Sequence, residues 1–187
     1  MSVRAFVSVD IEEPELLKAL ENAQRRLEET EADLKSVERE NIHFTMMFLG
    51  NIDERRLSQL KKIISNLAFE TFIAELEGLG AFPNVMRPRT IWAGITRGAD
   101  QLGSIYGRLS PEISSMGIRL DDRGFNPHIT LARVRSGRNR DLLIKELTAA
   151  KEEHFGDMIV KRIRLKGSTL TREGPIYVTF AESKEPK

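Results

Sequence analysis

Two stretches decide how this chain is read: Ile42-His43-Phe44-Thr45-Met46-Met47-Phe48-Leu49 and Pro127-His128-Ile129-Thr130-Leu131-Ala132-Arg133-Val134. Each sets a histidine and a threonine two positions apart, alternating with apolar residues. Side chains alternate faces along a strand. Each histidine therefore stands beside its threonine on one face, while Phe44 and Met46, or Ile129 and Leu131, enter a core. The two histidines lie 85 positions apart, and the spacing recurs outward from them. Phe6 and Ile91 are 85 apart, Phe72 and Met158 are 86 apart, and each pair sits in an apolar, β-rich run.

The flanking segments repeat in the same order. Val3 to Val9 reads as a strand, and Pro14 opens a helix with Leu16, Leu20, Ala23 and Leu27 at helical spacing. Strand 42–49 ends at Gly50, Asp53 caps a helix through Leu67, and Phe72 to Leu76 is a third strand. After a loop rich in Pro and Gly, residues 78–89, the order returns: strand 91–95, helix 102–116, strand 128–134, helix 142–150, strand 158–165. A last strand follows at 176–180. The expected fold is α+β, a single domain over 1–187 built from a duplicated unit, with approximate repeats 3–78 and 90–166. A pseudo-two-fold arrangement follows from it, two small sheets facing each other across a groove, with helices on their outer faces and equivalent positions opposite one another.

Composition narrows the chemistry. The chain has 187 residues, no cysteine, and 29 basic against 28 acidic side chains. Disulfide scaffolds, thiolate metal sites and cysteine nucleophiles are excluded. A net charge of +1 gives no broad field for long nucleic acid, so any polyanion contact must be concentrated. No apolar run approaches the roughly 20 residues of a membrane helix, and the opening MSVRAFVSVDIEEPE turns acidic too early for a signal peptide. A cytoplasmic protein is expected.

Imidazole gives or takes a proton near neutral pH. Two opposed imidazoles can run a displacement at phosphorus, one deprotonating the attacking oxygen while the other protonates the leaving one. The threonine hydroxyls can hold the non-bridging oxygens. Such chemistry needs neither metal nor cofactor. Metal binding by His43 and His128 would need a third ligand, which no motif supplies. His154, in Glu152-Glu153-His154-Phe155, reads as a surface residue. None of Ser104, Ser110 or Ser168 lies in a nucleophile elbow, and residues 98–107 fit neither a P-loop nor a dinucleotide fingerprint.

The twin motifs, with Phe82-Pro83, Arg87-Pro88-Arg89, Ile91-Trp92-Ala93-Gly94, the run 125–133, Ser168-Thr169-Leu170 and Gly174-Pro175-Ile176-Tyr177, resemble the RNA 2′,3′-cyclic phosphodiesterase family. This family, first named for 2′-5′ RNA ligase activity, belongs to the two-histidine phosphoesterases. The resemblance runs from residue 3 to about 180. It implies two pseudo-symmetric lobes, each a mostly antiparallel sheet with helices on the outer face, around a central cleft. It also implies opening of a 2′,3′-cyclic phosphate at an RNA 3′ end to leave a 2′-phosphate, with fragments of tRNA among candidate substrates and no obligate protein partner.

By the same resemblance His43 is the proton donor, His128 the proton acceptor, and Thr45, Thr130 and Arg133 serve the phosphate. Strand parity turns Arg133 away from the cleft unless the strand bulges after Thr130, and it puts Met47 on the His43 face. Phe48, Phe125 and Tyr177 are candidates for stacking on the terminal base, Phe48 also fitting the core. Arg87, Arg89, Arg123 and Arg172 are candidates for RNA phosphates. Two other readings stay open: a phosphodiesterase for small cyclic phosphates or 2′-5′ oligonucleotides, and a non-catalytic module that binds a nucleotide or RNA end.

Overall fold

The computed structural model describes residues 2–121, 124–171 and 174–184. The first half of the chain gives β1 (Ser2–Asp10), α1 (Pro14–Glu29), β2 (Leu34–Ser36), β3 (His43–Asp53), α2 (Glu54–Asn66) and β4 (Phe72–Phe82). The second gives β5 (Thr90–Ile95), α3 (Ala99–Ser115), β6 (His128–Val134), α4 (Arg140–Ala149), β7 (His154–Val160), β8 (Arg164–Leu170) and β9 (Pro175–Glu182). Periodicity explains the helices. Leu16, Leu20, Ala23 and Leu27 of α1 are buried as their spacing requires, and the Asp53 carboxylate accepts the Arg56 N–H at 2.8 Å as the cap of α2. Among the described residues no helix is long and apolar enough to cross a membrane.

The strands run in the order β7-β4-β5-β6-β3-β1-β8-β9, with β2 paired beside β6, and every pairing is antiparallel. At the centre β3 and β6 are joined by one residue pair, Phe44 with Ile129. That narrow junction divides the array into a lobe of β3, β1, β8 and β9 and a lobe of β6, β5, β4 and β7.

The lobes do not coincide with the halves of the sequence. β4, which follows α2, pairs with β5 and β7, whereas β8 of the second half pairs with β1. Helices cross in the same way: α1 packs on β6 and β7, α3 on β3. The strand expected over 158–165 is accordingly two strands. The chain leaves one lobe at Val160 and enters the other at Arg164, and between them the buried Ser183 hydroxyl accepts the Ile163 N–H at 3.0 Å.

Two glycines expected to stop strands lie inside them. Gly50, at φ 71°, follows a bulge in β3 where Ala5 pairs with Gly50 and Phe6 with Phe48, so the strand continues to Asp53. Gly78, at φ 77°, is the extra residue between Glu77–Gly94 and Leu79–Ala93, and β4 continues to Phe82. A Cβ at residue 78 would lie 2.3 Å from the Lys151 carbonyl oxygen. Glycine relieves both positions by admitting left-handed φ without a Cβ clash.

Candidate active site

The single β3–β6 pair sets the site. Around Phe44–Ile129, antiparallel alternation puts His43, Thr45, His128 and Thr130 on the face opposite the core, each histidine toward the threonine of the other strand. All four line one cleft of about 460 Å³, with Phe48, Arg133 and Tyr177.

Bulges decide what else enters it. Val7 pairs with Met47 and Ser8 with Thr45, leaving Met46 as an extra residue in β3. Ile91 pairs with Ala132 and Trp92 with Thr130, leaving Leu131 as an extra residue in β6. One added residue flips the faces beyond it. Met46 and Met47 are both buried, as are Leu131 and Ala132, and the next residues, Phe48 and Arg133, turn into the cleft. Arg133 thus reaches the cleft by the bulge its parity demanded. Met47 does not share the His43 face, and Phe48 is 61% exposed rather than in the core.

The ladders match with an offset of 85 from Phe48 to Arg133 but 84 from Phe6 to Thr90, so Thr90, not Ile91, is the equivalent of Phe6 in the other lobe.

Gln24 holds the second bulge. This buried α1 residue donates from Nε2 to the carbonyls of Leu131 and Val37, both at 2.8 Å, and the Val37 N–H donates to Leu131 at 2.8 Å. Sequence reading placed Gln24 on a helix and gave it no role; a lone amide among the apolar positions of α1 was the available signal. Gln24→Met keeps the volume and removes both bonds. It is expected to lower unfolding free energy by about 1–3 kcal/mol, measured in urea, because the part-buried Val37 carbonyl loses its side-chain donor and the buried Leu131 carbonyl keeps only the Val37 N–H.

Both imidazoles are fastened alike. His43 Nδ1–H donates to the Asn41 carbonyl and His128 Nδ1–H to the Asn126 carbonyl, each at 2.7 Å. A carbonyl can only accept, so the proton sits on Nδ1 in the neutral ring and Nε2 is the atom free to exchange one. In that tautomer His43 Nε2 accepts the Thr45 hydroxyl at 2.8 Å. Asn41 and Asn126, 85 apart, were legible as a second matched pair in the sequence and were missed.

The surroundings of the two rings differ. His43 stacks on Phe6 at 5.2 Å and meets the edge of Tyr177 at 5.3 Å. His128 meets Phe82 at 4.8 Å and Trp92 at 6.1 Å. In the first lobe a half-buried network joins Lys166 to Asp10 at 2.5 Å, Asp10 to Arg164 at 2.7 Å, and Arg164 to Glu182 at 2.7 Å.

Burial pushes the His43 pKa below its ordinary 6.5; Lys166 adds to the shift, and the Asn41 carbonyl and Asp10 oppose it. The folded chain then binds fewer protons at His43 than the unfolded one. This contribution to stability is present above pH ~6.5 and is lost as pH falls through the lower folded value. Unfolding in urea at pH 7.5 and pH 5 should show a smaller loss of stability on acidification in His43→Gln than in the parent chain.

Other candidates lie elsewhere. Phe125 packs against Tyr106 at 4.7 Å and Phe44 at 6.2 Å, on the core side of the sheet. Arg87 and Arg89 are exposed but do not line the cleft, and Arg123 and Arg172 fall outside the described residues. His154 pairs with Glu75 at 3.2 Å on the surface. Among the described residues no group of three or more His, Asp or Glu side chains is placed to hold a metal ion.

The sequence profile of the LigT like phosphoesterase family matches this chain twice in succession, over residues 9–92 and 95–177. The chain belongs to the LigT-like phosphoesterases. A relative from Aeropyrum pernix, named RNA 2′,3′-cyclic phosphodiesterase, is 41% identical over 155 residues, 83% of this chain and 88% of the relative. Another of that name, from Methanothermobacter thermautotrophicus, is 35% identical over 179 residues, 95% of this chain and 96% of the relative. Among solved structures, E. coli LigT complexed with 3′-AMP superposes with a TM-score of 0.77 at 19% identity, covering 97% of each chain. A Thermus thermophilus protein gives 0.76 at 26% identity, covering 96% of each. The LigT-like fold, an α+β array in two lobes about a cleft, is the one expected from the repeat.

Proposed function

We propose that this LigT-like phosphoesterase opens the 2′,3′-cyclic phosphate at an RNA 3′ end, leaving a 2′-phosphomonoester, without a metal. Water attacks phosphorus and gives its proton to His128 Nε2, the P–O3′ bond breaks, and the departing 3′ oxygen takes a proton from His43 Nε2. Thr45 and Thr130 hold the non-bridging oxygens, and Arg133 offsets the charge that develops on them. With a 5′-hydroxyl RNA end in place of water, the same geometry forms a 2′-5′ bond, and the reverse of that step cleaves one; in dilute solution the excess of water favours hydrolysis. Ends of RNA, tRNA fragments among them, are the substrates this reading names.

The observation that carries the proposal is the matched pair of imidazoles lining one cleft, each with Nδ1–H tied to a backbone carbonyl so that Nε2 is left to exchange protons. The names of the relatives point to the same reaction. The lowered His43 pKa suits a donor that parts readily with its proton, and an anionic phosphodiester arriving in the cleft favours the charged ring. We also read the chain as one domain built from a duplicated unit, supported by the two successive profile matches and the paired bulges.

The test is an RNA with a 2′,3′-cyclic phosphate terminus, incubated with purified protein and a chelator, followed by analysis of the terminus. A 2′-phosphate is the expected product. No 2′-phosphate, or activity abolished by the chelator alone, would overturn the proposal.

A further inference from the structure

The cleft extends beyond the two histidines and is lined by cations from both lobes. Arg4 pairs across the first lobe with Ser168, and Ser168 with Tyr177, so these three form a row along the cleft wall. On the adjoining rim Lys35 of β2 is the register partner of Arg133 of β6. Like charges set opposite one another on neighbouring strands repel. Arg4 and Lys35 make no ion pair or hydrogen bond through their side chains among the described residues, and Glu38 is the carboxylate lining the same cleft. Tyr177 lies within the field of both arginines: burial raises its pKa, Arg133 and Arg4 oppose the rise, and Glu38 adds to it.

Arg4 itself has no charged counterpart across the cleft. Since Thr90 occupies the place of Phe6, the residue matching Arg4 is Pro88. One phosphoryl group between the histidines is served by Thr45, Thr130 and Arg133, so Arg4 and Lys35 exceed what it needs.

We propose that Arg4 and Lys35 form a second phosphate subsite, which takes the phosphodiester on the 5′ side of the terminal nucleotide. This rests on the function proposed above and deepens it: the substrate is an oligonucleotide end rather than a mononucleotide 2′,3′-cyclic phosphate. The added phosphate relieves the repulsion between Lys35 and Arg133 and sets the strand's polarity, its 5′ portion lying over the wall formed by β1, β8 and β9.

The experiment compares kcat/KM for a mononucleotide 2′,3′-cyclic phosphate and for a dinucleotide ending in the same group, using the parent chain, Arg4→Gln and Lys35→Gln. The parent chain should favour the dinucleotide by about tenfold, and each variant should reduce that preference several-fold, mainly through KM. For the dinucleotide, the slope of log kcat/KM against log salt should also become shallower by about 0.7 for each cation removed. Equal use of the two substrates by the parent chain, or variants that keep its preference and salt slope, would overturn the subsite while leaving the proposed reaction standing. Failure to hydrolyse either substrate would overturn the reaction itself.

Discussion

His128→Ala and His43→Ala are each expected to lower kcat on a cyclic-phosphate RNA end by ~10²-fold or more, with little change in the urea midpoint. Each ring meets aromatic neighbours from its own lobe but lies outside the cluster of buried apolar side chains. Truncation removes a proton carrier and leaves the sheet beneath it in place. The double variant should be hardly slower than the worse single one, because a displacement lacking either partner has lost the concerted path. Single-turnover measurements on the three variants would check this. Near-normal turnover in either single variant would remove that ring from proton transfer.

Phe44→Ala is expected to act through stability instead. Phe44 is 1% exposed, supplies half of the one residue pair that joins the lobes, and presents its ring to Phe125 at 6.2 Å. Truncating a buried phenylalanine costs about 3–5 kcal/mol, a large share of the roughly 5–15 kcal/mol that holds a typical domain folded. Since His43 and Thr45 are its immediate neighbours, the variant should also lose activity at temperatures where it remains folded. Urea unfolding and turnover below the unfolding range separate the two effects. A loss of stability under about 1 kcal/mol would show that the junction has a support other than this ring.

Much of the site was legible because the chain carries it twice. One histidine-threonine pair on a strand says little; a second at the same spacing implies two equivalent strands and a place for them to meet. What parity misjudged follows from inserted residues. Met47 and Phe48 exchange faces because Met46 is extra, and Arg133 enters the cleft because Leu131 is extra. A bulge leaves a faint trace, two consecutive residues able to be buried, and Met46-Met47 and Leu131-Ala132 supply it. The same ambiguity made Gly50 and Gly78 look like strand ends. Phe125 went to the core because its segment approaches β6 from the helix side, an approach that local composition does not encode. The exchange of β4 and β8 was hidden for a comparable reason: strand propensity is local, while choice of partner is settled by the whole sheet.

That exchange has a mechanical meaning. Each half of the chain surrenders a helix and two strands to its twin and is repaid in kind. A polypeptide that stopped after Phe82 would own β4 without the neighbour it was shaped for and a bare flank on β1. The gap that receives a phosphorus atom is thus woven, like the space between clasped hands, and parting the halves would unravel both walls together.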